Sequence, residues 1–411
     1  MRIAIVSNDT RGGVQPYVAL GIGLAQAGHD VRVVAPANHS SLFTNTGLKL
    51  FPLSGPTTEE VNEAARIAEK GTLATMAFMA KEMPKMIFQS TKETLNACEG
   101  VDIITGGVGG MVTGIAVADK LQVPFIQTHL QPVAAPSREY PGVMLGALPD
   151  WAGDLGRLLS HHLSEQLLWM PFQGAMSEAR TKVLGLNGKS RSMEGQAIIY
   201  GFSPRVVPLP DNKKEKRYTT GYWILPTSNF NPPEDLQTFL DQEKPVVSIG
   251  FGSMSSNQAE RVTELVQQAA ANAGLRLILL TGSGGLKEIV GNDDLYCLSE
   301  VPHEWLFRKV SAIVHHGGAG TTAAALRSGV PNIVVPFGVD QPFWGSRVAA
   351  LGVGPKPIPH ARLSVDKLTI ALQTAVSDQA MRTRAADLGT LLRAEDGVSK
   401  AVECFNRLAQ T

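Results

Sequence analysis

A chain of 411 residues with 44% hydrophobic content is too long for a single core, so two domains are expected. Lysine plus arginine and aspartate plus glutamate both number 37, which removes the electrostatic ground for a nucleic-acid partner or a strongly anionic membrane and leaves room only for a small anion bound locally. The three cysteines, Cys98, Cys297 and Cys404, are widely separated and lack ligand spacing; they fit a reduced, cytoplasmic setting with neither a disulfide framework nor a metal site.

The N-terminus, Met1-Arg-Ile-Ala-Ile-Val6, lacks the long apolar region of a signal peptide and reads as a strand, Arg2 to Ser7. A polar glycine loop, Asn8 to Gly13, a helix from Val14 to Ala27 and a strand from Val31 to Ala35 complete a βαβ unit. Thr57-Thr58-Glu59-Glu60 has capping-box spacing and opens a helical region running towards Glu99. A strand at Val101 to Thr105, a turn at Gly106 to Gly110, a helix at Met111 to Leu121 and a strand at Val123 to Gln127 follow, so the first half reads as a doubly wound α/β sheet. Gln131 to Leu148 is a long loop, a feature often tied to function. Helices from about Gly153 to Leu184 and a strand at Ala197 to Tyr200 lead to Ser203–Arg217, where prolines and a charge run mark a domain linker.

A second α/β series begins at Pro245, with a strand at Val246 to Gly250, a tight loop at Phe251 to Ser256, a helix at Gln258 to Ala273 and a strand at Arg276 to Thr281. The apolar run Ala312 to His315 then feeds Gly317-Gly318-Ala319-Gly320 and a helix beginning Thr321-Thr322, which is a strand–glycine turn–helix arrangement. Unpaired amides and the positive end of a helix dipole suit a phosphate there. The tail beyond Ser364 reads as helical. Two such domains facing one cleft would each offer ligand loops at the carboxyl ends of their strands. No apolar run is long enough to span a bilayer, while peripheral contact with a membrane stays open.

Several stretches in order carry a resemblance: Tyr200-Gly-Phe-Ser-Pro204, Thr220-Gly-Tyr-Trp223, Ser248-Ile-Gly-Phe-Gly-Ser-Met254, Pro302-His-Glu-Trp-Leu-Phe307, His315-His-Gly-Gly-Ala-Gly-Thr-Thr322 and Asp340-Gln-Pro-Phe-Trp-Gly345. They resemble the nucleotide-sugar half of GT-B UDP-glycosyltransferases, in particular sterol glucosyltransferases and glycopeptide-antibiotic glycosyltransferases. Thr10 to Leu20 and Gly28-His-Asp-Val31 extend the likeness to the start, whereas residues 40 to 195 match less clearly.

The resemblance implies two Rossmann-like domains: an acceptor-binding domain at 1–215, a nucleotide-sugar-binding domain at 216–390, and a terminal helix at 391–411 packing back towards the first. It implies an inverting transferase moving a hexose, glucose by expectation, from a UDP- or dTDP-sugar to a hydroxyl of a bulky apolar molecule such as a sterol, polyketide, terpenoid or phenolic. The nucleotide sugar is a co-substrate, and neither a cofactor nor a metal is expected. By family position His315 contacts the diphosphate, with the amides of Gly317, Gly318, Gly320 and Thr321 around it; His316 is the weaker candidate, as a neighbour that can face the other side. Gly12, Gly13 and Ser253 also lie beside the donor. Val301 to Trp305, including His303, sits against base and ribose, although packing on Leu306 and Phe307 accounts for the Trp305 indole. Asp340 and Gln341 hydrogen-bond the sugar hydroxyls, the competing reading of Asp340 being an N-cap.

One departure concerns the chemistry. Enzymes of this type usually read Arg-Gly-Asp in the first loop, with that Asp as general base, but here the loop is Arg11-Gly12-Gly13. Asp9 in the same loop and His129 beyond the strand Val123 to Gln127 are the alternative bases, unless the acceptor is itself acidic. Met76, Met79 and Met83 on a Met-rich helix, with Trp151, are the acceptor-side candidates, as adaptable apolar surface. A nucleotide-sugar epimerase or hydrolase on the same fold, and a catalytically silent nucleotide-sugar binder, stay open as alternatives.

Overall fold

The computed structural model describes residues 1–55, 72–187, 196–209, 212, 216–226, 230–252, 259–282 and 286–408; the side chains of 72–80 and 150 are outside that description, as is the capping box at 57–60. In the first half, β1 (Arg2–Val6), α1 (Arg11–Gln26), β2 (Asp30–Pro36), β3 (Lys49–Leu53), α2 (Thr72–Ala97), β4 (Ile103–Gly106), α3 (Val108–Leu121), β5 (Phe125–His129), α4 (Gly153–Trp169), α5 (Gln173–Lys182), β6 (Ile198–Tyr200) and β7 (Arg217–Thr219) alternate as a doubly wound unit. The seven strands are parallel, in the order β3-β2-β1-β4-β5-β6-β7. Helices cover both faces, which is why β1 reads as a continuous apolar run with Ile3, Ala4, Ile5 and Val6 all fully buried.

The second half contains α6 (Glu234–Leu240), β8 (Val246–Gly250), α7 (Ala259–Asn272), β9 (Arg276–Leu280), β10 (Leu295–Leu298), α8 (His303–Leu306), β11 (Ala312–His315), α9 (Ala319–Ser328), β12 (Asn332–Val334), α10 (Gln341–Ala350), α11 (Val365–Ser377), α12 (Gln379–Arg393) and α13 (Gly397–Leu408). Its five parallel strands run β10-β9-β8-β11-β12. Ser364 caps α11 through Lys367 N–H and Asp378 caps α12 through Met381 N–H, each satisfying a donor left free at a helix start.

One point differs from the sequence reading. The charge run ends in a strand, so the first sheet extends to Thr219, past the expected boundary at 215. The helices expected from about Gly153 to Leu184 are α4 and α5, separated around Pro171, where the ring removes a backbone donor. The chain crosses between the sheets twice. The second crossing ends in α13, which sets Ala401, Cys404 and Phe405 into the core beneath β1, β2 and α1. A third cluster joins the halves, with Tyr140, Tyr200, Phe202 and Tyr222 packed near Phe343, Trp344 and Leu326.

Candidate functional site

The carboxyl ends of β1, β4 and β5 face those of β8, β11 and β12 across a cleft. After β11 the backbone turns through Gly317, whose φ of +89° is the left-handed conformation and where a Cβ would stand 2.6 Å from Val334. Gly318 is the N-cap of α9 and has no side chain with which to cap the free amides of this helix start. The start of α1 stands opposite: a Cβ on Gly320 would lie 3.2 Å from the Gly12 carbonyl oxygen. Two helix N-termini thus converge, and both carry partial positive charge.

The two adjacent histidines have different environments. His315 is 1% exposed, its Nδ1 accepts the Gly317 N–H at 3.1 Å, and its Nε2 lies 3.2 Å from Asn332 Oδ1. Asn332 donates its amide to Val330 O, which leaves Oδ1 as the acceptor and fixes the neutral tautomer protonated on Nε2. Burial, then His316, hold its pKa down to about 3. Both nitrogens are therefore engaged inside the protein, a placement at odds with the expectation that His315 reaches a ligand. The ring of His316 instead lies in the nest: a Cβ at Gly318 would be 2.4 Å from its Nε2 and one at Gly252 3.2 Å from its Cε1. Its Nδ1 is buried without a hydrogen-bond partner among the described residues, and burial lowers its pKa to about 4. His303 begins α8, stacks on Phe307 at 4.5 Å, and is held at about 4 by burial, His316 and Arg11. These neutral imidazoles and open amides can receive an anion, whose charge would favour their protonated forms.

Asp340 occupies the N-cap position of α10, but its side chain makes no capping bond. Its Oδ2 accepts the Trp344 indole N–H at 3.0 Å; burial first, and Asp9 across the cleft as a lesser cause, raise its pKa to about 6, with the Gln131 side chain opposing. Gln341 turns its carboxamide oxygen to Phe337 N–H at 2.7 Å and Gly338 N–H at 3.4 Å, holding the preceding loop. Val301 and Trp305 are both partly buried against one core cluster, and the Trp305 ring meets Phe230 edge-on at 5.1 Å. Ser253 lies outside the described residues.

In the first half, Asp9 projects from the loop between β1 and α1. One carboxylate oxygen accepts Thr10 N–H at 2.8 Å, and the side chain fills the space above Gly13, where a Cβ would be 2.3 Å from Asp9 Cγ. Asp9 is open to solvent at the cleft, yet the protein packed around its carboxyl raises its pKa by desolvation against the Thr10 bonds. His39 donates or accepts nothing from that carboxylate; its Nε2 lies 3.2 Å from the Asp9 carbonyl oxygen. Arg11 bridges the halves through Glu300 at 3.2 Å. Sequence reasoning missed His39, Glu300 and Gln131, whose partners are 30 to 289 positions away or on the opposite half.

The expected cleft-facing position of His129 is corrected by the structure. It is fully buried, 2.9 Å from Gln127 Oε1, near Tyr200, and burial lowers its pKa to about 4. The strand is displaced two residues along the chain from the expected Val123 to Gln127, to Phe125–His129, which carries His129 into the sheet interior. Of the acceptor candidates, Met83 packs against Ile87, Ala175 and Ala179, Trp151 is exposed, and the side chains of Met76 and Met79 are outside the description. Among the described residues no cluster of His, Cys, Asp or Glu has metal-ligand geometry, and no helix is long and apolar enough to cross a membrane.

A family model described as Erythromycin biosynthesis protein CIII-like, C-terminal domain, matches residues 286–400. The chain is 33% identical over 426 residues to the sterol 3-beta-glucosyltransferase UGT80A2 of Arabidopsis thaliana, covering 98% of this chain and 65% of that protein. It is 30% identical to a sterol 3-beta-glucosyltransferase of Cryptococcus neoformans, covering 99% of this chain but only 27% of that one. It thus spans less than two thirds of either relative. Among solved structures, the glycotransferase of kitacinnamycin superposes with a TM-score of 0.69 at 20% identity, covering 99% of this chain and 98% of that one. The Streptomyces sp. SF2575 glycosyltransferase SsfS6, complexed with thymidine diphosphate, gives 0.64 at 18% identity and covers 99% of both. The chain is a GT-B-fold protein whose sequence resembles the sterol 3-beta-glucosyltransferases over nearly its whole length.

Proposed function

We propose that the protein is an inverting glycosyltransferase that moves a hexose from a UDP- or dTDP-sugar to a hydroxyl of a bulky apolar molecule. The observation that carries this reading is the nest at the start of α9, where a helix end without a side-chain cap from its N-cap residue, Gly317, Gly318 and His316, whose Nδ1 has no partner among the described residues, converge. In it, amides and His316 would stabilise charge developing on the leaving diphosphate, without a metal or other cofactor being required by the proposal. His315 would shape the turn from behind through Gly317 N–H. Asp340 would accept hydrogen bonds from the sugar, and Gln341 would fix the loop that presents it. Under this reading residues up to Thr219 serve the acceptor and the second sheet serves the donor. The names of the sterol 3-beta-glucosyltransferase relatives support a sterol-like acceptor, and the thymidine diphosphate complex supports a pyrimidine nucleotide. The reaction is proposed to take place in the cytoplasm.

Mass spectrometry of reactions pairing UDP-glucose or dTDP-glucose with sterol, terpenoid, polyketide and phenolic acceptors tests the proposal. A product heavier by one hexose is expected. Free sugar or an epimer alone would overturn it in favour of hydrolase or epimerase action, and binding without turnover would leave a silent binder.

A further inference from the structure

The described first half offers few groups at the cleft able to take a proton from an acceptor hydroxyl. Arg11 is a cation paired with Glu300 and accepts no proton. The Tyr17 hydroxyl donates to the Thr128 carbonyl at 2.5 Å in a fully enclosed site that raises its pKa. His129 is buried against Gln127 and Tyr200. His39 spends Nε2 on the Asp9 carbonyl oxygen, and desolvation lowers its pKa. Asp9 remains, exposed at the cleft and close enough to Asp340 in the opposite half to raise that group's pKa.

The geometry around Asp9 is specific. A Cβ at Gly13 would stand 2.3 Å from Asp9 Cγ and 2.5 Å from its Oδ2, distances at which one of the two must move. A Cβ at Gly109, at the start of α3, would stand 3.5 Å from the same oxygen. The carboxylate is thus seated in the volume a residue-13 side chain would otherwise fill, at the first turn of α1.

Resting on the transferase reading above, we propose that Asp9 is the general base and that Gly13 is glycine because the Asp9 carboxylate occupies its side-chain position. The acceptor oxygen forms its bond to C1 as the C1–O bond to the diphosphate breaks; the hydroxyl proton passes to Asp9, and the bonding pair leaves with the nucleoside diphosphate. Asp9 then returns the proton to solvent. Desolvation brings the carboxylate closer in proton affinity to its task. Asp340 and Tyr17 are the other titratable groups coupled to it, and Thr10 bonds it.

Positional exchange provides the test. Asp9→Asn and Asp9→Ala should lower kcat on an aliphatic alcohol acceptor by roughly 100-fold or more while UDP affinity, measured by calorimetry, changes less than about threefold. Gly13→Ala, which keeps the carboxylate but takes its seat, should also lower kcat. The double variant Asp9→Ala/Gly13→Asp should regain at least tenfold over Asp9→Ala, because the carboxylate returns to the same volume from the other position. Near-normal turnover of Asp9→Asn, or no gain in a double variant that binds UDP and melts like the parent, overturns the proposal. Wild-type protein that binds UDP but forms no glycoside with any acceptor would instead refute the transferase reading itself.

Discussion

The adjacent histidines at the end of β11 face different surroundings, and their substitution should separate stability from binding. His315→Ala would strip Asn332 Oδ1 and Gly317 N–H of their partner and leave a buried hole, costing roughly 2–4 kcal/mol of stability. His316→Ala removes a ring whose Nδ1 has no partner among the described residues, so the melting temperature should hardly change. UDP or dTDP affinity should weaken roughly tenfold, about 1.4 kcal/mol, if His316 faces the diphosphate. Calorimetric titration and thermal unfolding of both variants would check this; the reverse pattern, with binding lost in a folded His315→Ala and retained in His316→Ala, would restore His315 as the ligand. Alternation along the strand says that the two side chains point opposite ways. It cannot say which way is the cleft, because that depends on Asn332 and Gly252 in other elements.

At the scale of elements, α4 is turned against ordinary amphipathic logic. Its buried residues are Ser160 and Ser164, while Leu155, Leu159 and Leu163 are 68%, 63% and 48% exposed. The serines accept N–H bonds from Gly142 at 2.8 Å and Met144 at 2.7 Å, and so tie down the long loop whose Tyr140 packs on Phe343 next to Asp340. Ser160→Ala/Ser164→Ala would orphan the buried Gly142 amide and the part-buried Met144 amide, and a loss of roughly 1–3 kcal/mol in urea unfolding, with faster proteolytic cutting at 137–146, is expected. Leu159→Gln should stay within about 0.5 kcal/mol, since the side chain is already in water. Equal effects from the two changes would contradict this account of the helix. Apolar periodicity located α4 but could not orient it. The same signal failed at β3, β7 and β10, which carry Lys49, Pro52, Arg217 and Cys297 in short strands near or at sheet edges, whereas the central strands β1, β8 and β11 read directly as unbroken apolar runs. Glycine turns in sequence therefore located the nest, and long-range neighbours decided which side chains enter it.

Across the whole molecule, the two chain crossings meet: Ser203 donates to Glu395 Oε1 at 2.8 Å, and Gly397 comes so near Gly221 that a Cβ there would be 2.5 Å from the Gly221 carbonyl. The halves thus share a core and should unfold together. Their joint response to acid follows from the enclosed histidines. His129 and His315, at most 1% exposed, have pKa values of about 4 and about 3 in the fold, against about 6.5 in an unfolded chain. The unfolded chain therefore binds more protons below pH 6.5, and each histidine contributes stability that is lost as pH falls, at up to about 1.4 kcal/mol per pH unit, until its own folded pKa is reached. Asp340 acts in the opposite sense: its pKa is raised from 3.8 to about 6, so the fold binds the extra proton and stability declines as pH rises through that window. Urea unfolding between pH 4.5 and 7 should show His129→Gln with a shallower acid decline than the parent, and Asp340→Asn with a steeper one. A parent curve whose slope is unchanged by either substitution would mean that neither side chain is held in the protonation state its surroundings impose.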